Sequence, residues 1–208
     1  MAKQSRSVPV MRTVLEAVAE RLMEGDEILI RIPEICESTG VNYGSVYHHF
    51  GSREGVIDAA YGLIFSRIVE DDIAALSKIN ESASTFDEYV QAIRPVLERI
   101  STGPERLARR AIRSRIVAAA LTRPELRVLI GIDQARLTNE LVRIVHYGQQ
   151  HGWVRRDVSG QSIAMLMQAV VLGRTMDDLA LIPMSDLKWE QTLVAIFMEM
   201  LNVPVTVH

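Results

Sequence analysis

The segment PEICESTGVNYGSVYHHFGSR, Pro33 to Arg53, reads as two short helices joined by a tight turn. Ile35 and Cys36 lie four and three residues before Thr39, and the pattern breaks at Gly40, a residue that tolerates the left-handed conformation a helix end needs. Asn42 then opens a second helix, where its side-chain oxygen can take a hydrogen bond from an amide of the first turn. Val41, Val46 and Phe50 are spaced to turn inward, which leaves Tyr43, Gly44, Ser45, Tyr47 and His48 outward on a face without acids. Helix, glycine turn, helix is the sequence shape of a helix-turn-helix, whose second helix enters the DNA major groove.

The run Gly40 Val41 Asn42 Tyr43 Gly44 Ser45 Val46 Tyr47 His48 His49 Phe50, with Ser52, Arg53 and Glu54 after it, resembles the DNA-binding domain of TetR-family transcriptional regulators. The family pattern is A-G-V-S-x-G-T-L-Y-x-H-F-x-S-K-E. The resemblance covers about fifty N-terminal residues; for the rest only architecture carries over. Three departures stand out. Thr39 replaces a small alanine, and Arg53 replaces the usual lysine, which keeps the charge and allows a bidentate phosphate contact. Before the motif, the family's Gly-aromatic-Thr/Ser approach becomes Gly25 to Ile32, one residue longer, with Arg31 where the capping hydroxyl would be. Arg31 can still reach a phosphate, but that helix loses its cap.

Composition agrees with a helical chain. Of 208 residues 48% are apolar and only 5% aromatic, and the apolar residues recur mostly at helical spacing. The expected fold is all-α with about nine helices: a three-helix DNA-binding domain over 1–62 joined to a larger helical effector-binding and dimerisation domain over 63–208. Cys36 is the only cysteine, so no intrachain disulfide and no cysteine-held zinc is possible, and a reducing cytoplasm is the expected location. No stretch approaches the length needed to cross a bilayer.

The net charge of −3 argues against a general polyanion binder. Residues 1–62 alone hold six Lys or Arg against nine Asp or Glu. None of those acids falls within 1–15 or 38–53, while Lys3, Arg6, Arg12, Arg31 and Arg53 lie in or near these segments. Local potential governs docking, since phosphate contacts act over a Debye length of about 10 Å. Gly44 lets the backbone approach the sugar-phosphate chain. Tyr43 and Ser45 are placed for base-edge or methyl contacts, and Tyr47, His48 and Arg53 for phosphates. Tyr47 is alternatively a core group with its hydroxyl at the rim, Asn42 a cap that does no more, and His49 a structural neighbour of Phe50.

Residues 1–9 read as a loose arm and Val10 to Glu24 as the first helix, with an acidic stripe at Glu16, Glu20 and Glu24. Ser52 caps a long helix reaching about Asn80. A helix from Asp87 to about Ser101 holds Pro95, which implies a kink or a late start. Pro104 and Pro124 open two more helices, the second ending between Gly148 and Gly152. Ser159 and Ser185 cap the last two. These last two are so apolar that they need a second chain or a core position to cover them. The resemblance implies the former, a homodimer held by a four-helix bundle. Its two recognition helices would lie about 34 Å apart on a palindromic operator.

The resemblance also implies a pocket among the middle helices for a small-molecule effector that releases DNA, and repression as the mode of action. Candidate effector contacts are Met165, Met167 and Met176, which equally suit an ordinary core, His146 and Tyr147, and the arginine run Arg106, Arg109, Arg110, Arg113 and Arg115. Arg113 with its neighbours either meets an anion, such as an acyl thioester or carboxylate, or pairs with the Glu16 stripe or with Asp71 and Asp72. An enzyme is not expected, and neither is a cofactor. No histidine has a glutamate three residues before it, His146 and His151 do not share a helix face, and GxSxG, P-loop and GxGxxG patterns are absent. The competing reading is a dimeric interaction module whose helix-turn-helix no longer binds DNA.

Overall fold

The computed structural model describes residues 4–101 and 104–201. The chain is all-α. Its helices are α1 (Gln4–Glu24), α2 (Ile32–Thr39), α3 (Tyr43–Phe50), α4 (Arg53–Ser82), α5 (Phe86–Ser101), α6 (Pro104–Thr122), α7 (Pro124–Gln150), α8 (Gly160–Asp178) and α9 (Asp186–Met198). A short 3-10 turn, Glu27–Leu29, precedes α2. Among the described residues there is no strand, only an isolated antiparallel bridge between Val154 and Leu201. No described helix is long and apolar enough to cross a membrane.

Two compact units emerge. The first comprises the chain through Ile68 together with Arg115–Asp133; the second comprises Val69–Ser114 and the chain from Gln134 onward. In the first, α1 packs on α2 and α2 on α3. Val14, Val18 and Leu22, one helical turn apart on α1, are fully buried with Ile32, Val46, Ile57 and Tyr61. Arg115 donates to the carbonyls of Leu22 at 2.8 Å and Gly25 at 2.6 Å, satisfying oxygens that the end of α1 leaves open. Arg123 pairs with Glu27 and, at 3.0 Å, with Asp58. Burial works against charge on Glu27, yet Arg123 holds its carboxyl below the usual range. Burial first, and Glu27 second, push the Tyr61 hydroxyl up to about 12.

In the second unit α5 packs against α9. Tyr89, fully buried, donates to the Ile144 carbonyl at 3.1 Å and sits beside Trp153, with ring centroids 5.4 Å apart. Arg174 is buried on α8, donates to the Met184 carbonyl at 2.7 Å and lies over the Trp189 ring at 5.3 Å, so it ties the α8–α9 connection together.

The helix starts at Pro104, Pro124, Ser159 and Ser185 agree with the sequence reading. Three expectations need correction. α1 begins at Gln4, so Gln4 to Pro9 is helical rather than a loose arm; Met1 to Lys3 lie outside the described residues. Pro9 costs one backbone bond there, and the helix continues through it. α5 likewise runs unbroken through Pro95, which rules out a late start. α8 stops at Asp178, five residues before Pro183, and the following Leu181 and Ile182 are almost wholly exposed.

Candidate functional site

The helix-turn-helix is set by local chemistry. Thr39 returns its hydroxyl to the Ile35 carbonyl at 2.6 Å, and Gly40 takes a left-handed φ of 68°. The Val41 amide then bonds back to the Cys36 carbonyl at 3.0 Å, the closing bond of a glycine-terminated helix. Asn42 accepts from the Ser45 amide at 3.2 Å, so the expected N-cap forms. Arg31 occupies the N-cap position of α2 without a side-chain cap bond, as the missing hydroxyl implied; Pro33 in the first helical turn compensates because it needs no acceptor for an N–H. Ile32, Ile35, Cys36, Val41 and Val46 are buried; Phe50 is half-buried.

Seen from solvent, α3 presents Tyr43, Gly44, Ser45 and His48, all exposed. The Tyr47 ring is half-buried and lies 4.4 Å, centroid to centroid, from that of Tyr43. The neighbouring Tyr43 hydroxyl, then burial, raise the pKa of Tyr47. These two rings thus form one aromatic ridge rather than independent contacts. His49 packs edge-on to Phe50 at 4.6 Å.

Arg53, expected to meet a phosphate, has partners within its own chain. Its guanidinium donates to the carbonyls of Glu27 and, at 3.2 Å, Ile30, and lies 3.6 Å from Glu54. It clamps the turn before α2 to the start of α4, whose first turn Ser52 caps through the Gly55 amide at 3.0 Å. Sequence reasoning also passed over Gly55, where a Cβ would sit 2.1 Å from the Phe50 carbonyl oxygen. Its position three residues after the capping Ser52 gave no warning, since the crowding comes from the preceding helix end.

The second unit contains a cavity of about 740 Å³, within the usual range for small-molecule sites. Residues of α4 to α9 line it, most of them Leu, Ile, Val and Met. Asp71, Asp72, Arg106, Arg109, Arg110 and Arg113 supply its charged part. The arginine run pairs as one of its two readings held, with aspartates: Arg109 bonds Asp71 at 3.1 Å and Asp72 at 2.7 Å, Arg113 bonds Asp72 at 3.0 Å, and Arg110 bonds Asp178 at 2.7 Å. Glu16 instead pairs with Arg67 and Arg12, Arg67 being what chiefly holds its pKa down.

Of the effector candidates, Arg113 and Met167 line the cavity, whereas His146, Tyr147, Met165 and Met176 do not. Met165 and Met176 project from α8 and are 52% and 72% exposed. Tyr147 donates to the Ala83 carbonyl at 2.6 Å and joins His151 and Trp153 in an aromatic cluster. His146 is exposed beside Gly160, where a Cβ would meet its ring at 2.6 Å. Among the described residues no three of His, Cys, Asp or Glu gather as a metal site.

With this geometry in view, residues 30–60 match the family described as bacterial regulatory proteins, tetR family. The HTH-type transcriptional regulator UidR of Escherichia coli K12 is 23% identical over 173 residues, 82% of each chain. Among solved structures, a transcriptional regulator from Saccharomonospora viridis in complex with choline superposes with a TM-score of 0.71 at 16% identity, over 94% of this chain and 100% of that one. Salmonella enterica GusR gives 0.62 at 21%, over 94% and 96%. The tetR-family match thus falls on the helix-turn-helix, and the likeness to the solved regulators carries the fold over the rest of the chain. The matched residues 30–60 run from the turn clamped by Arg53, through α2 and α3, into α4.

Proposed function

We propose that this chain is a DNA-binding transcriptional repressor. It binds a palindromic operator as a homodimer and lets go when a small molecule enters the cavity of the second unit. The observation that carries the reading is the α2–Gly40–α3 motif, whose outward face of Tyr43, Gly44, Ser45 and His48 contains no acid. Residues 1–62 act as the DNA-binding domain and 63–208 as the effector-binding and dimerisation domain. Exposed apolar residues along and just past α8 and on α9, among them Leu172, Met176, Leu179 and Ile196, support a second copy as the cover for these helices. The choline complex of the Saccharomonospora viridis regulator supports a small-molecule site in this fold.

Fluorescence anisotropy with DNA from upstream of the protein's own gene, titrated at several salt concentrations, tests the reading. A Tyr43→Ala, His48→Ala double variant is the control, because both side chains are exposed and neither holds the fold. Tight, salt-sensitive binding of one fragment, lost in the variant, is expected. Absence of binding to any DNA at low salt would instead favour a dimeric protein-interaction module.

A further inference from the structure

The cavity is chemically lopsided, and its lopsidedness names a ligand class. Along α4, Asp72 and Ile79 both line it. Seven residues of helix separate them by about 10 Å. Arg109 and Arg113 of α6 are bonded to Asp72, whereas Ile79 shares the lining with Tyr89 and with Ile144, whose carbonyl takes the Tyr89 hydroxyl. Among the described residues the lining carries four arginines against two aspartates, with Asp178 paired to Arg110 besides, and no lysine, glutamate or histidine. Arg110 and Arg113 are largely buried, so their charge acts across a poorly screened space.

We infer that the cavity takes an amphipathic carboxylate with an aliphatic body: the carboxylate joins the Asp72–Arg109–Arg113 cluster, and the chain runs toward Ile79 and Tyr89. The inference rests on the ligand-gated reading above. A guanidinium fork offers more N–H donors than one carboxylate accepts, so a ligand carboxylate can join a pair that is already made. Asp72, bridging Arg109 and Arg113, occupies the position of an internal anion and competes with the ligand. A cationic head group would add positive charge where arginine already outnumbers aspartate. The lining is mostly branched aliphatic, and among the described residues Tyr89 and Phe197 are its aromatic rings, which suits a flexible methylene chain over a quaternary ammonium that needs a ring cage.

Isothermal titration calorimetry on the full chain, without DNA, compares decanoate, decanol and decyltrimethylammonium below their aggregation concentrations. Decanoate is expected to bind at least tenfold tighter than either of the others. Arg113→Met, which keeps the apolar stem and leaves Asp72 its bond to Arg109, should weaken decanoate at least tenfold and leave decanol unchanged. Asp72→Asn should tighten decanoate, a gain that a purely structural role cannot give and that holds the test open if the Arg113 variant does not fold. Equal or tighter binding of the ammonium, equal binding of decanol, or no binding of any of the three overturns the inference. Operator binding is measured separately: if decanoate binds as expected and no DNA does, the regulator reading falls while the ligand class stands.

Discussion

The side chain of Arg53 reaches back 23 residues to donate from Nε to the carbonyl of Ile30 at 3.2 Å. With its second bond, to the Glu27 carbonyl, it closes the motif that α2 opens without a side-chain cap. Arg53→Ala should therefore lose about 1–2 kcal/mol, the range for hydrogen bonds to a charged group at a partly exposed site. In a chain of this size that is a fall in melting temperature of roughly 3–6 °C. Arg53→Lys should recover little of it, since an ammonium lacks the fork that spans two carbonyls. A phosphate contact alone would instead change the salt dependence of DNA binding at constant melting temperature.

Asn42→Ala removes the acceptor for the Ser45 amide and should cost about 1 kcal/mol, whereas Asn42→Asp should retain most of the stability. Chemical denaturation followed by circular dichroism distinguishes the two. If both variants match the parent, the cap contributes nothing and Asn42 is free to serve DNA.

On the exposed face, Tyr43→Ala should weaken binding to the operator by about 1–3 kcal/mol and flatten its discrimination between sequences, if the ring reaches base edges. Tyr47→Phe should weaken all DNA alike and leave the salt slope unchanged, because a neutral hydroxyl on a phosphate releases no counterion. Anisotropy titrations over a salt series separate them.

Acid stability follows Glu27 and Glu16, whose carboxyls Arg123 and Arg67 hold below their unfolded values. A lowered folded pKa contributes stability that is complete above the unfolded pKa, about 4.5, and is lost as pH falls through the folded value. Urea midpoints should accordingly decline below about pH 4.5. Arg123→Gln should lower the midpoint at neutral pH and make that acid decline shallower. A parallel shift at every pH would assign Arg123 a packing role instead.

Leu172, Met176 and Leu179 follow one another at helical spacing along and just past α8, all exposed. Replacing Leu172 and Met176 by Glu should convert a dimer to a monomer in light scattering without unfolding it, because neither residue sits in the core of its own chain. A parent protein that is itself monomeric would refute the proposed bundle.

Local chemistry was easy to read in the sequence because it needs only neighbours. Gly40, Asn42, Ser52, Ser159 and Ser185 each act on residues within one turn, so their spacing announced the helix ends. The fate of Arg53 was illegible because its acceptors are backbone carbonyls more than twenty residues upstream, a position any residue type could occupy. The cavity was hidden for a similar reason: six helices line it, and periodicity tells which residues share a face but not which face turns inward. Hence Met165 and Met176, assigned to a pocket from residue type, point outward, while Leu137, Leu193 and Phe197 line the cavity unnoticed.

Arg115 and Arg123 lie far along the chain from α1, yet they hold its last carbonyls and the turn after it. For protein engineering this makes the proposed DNA-binding head a discontinuous cassette. A graft that copies only the N-terminal sixty-odd residues onto another sensor body would leave Leu22, Gly25, Glu27 and Asp58 without their arginines. A functional chimera should carry Arg115–Asp133 with it, as a second inserted block.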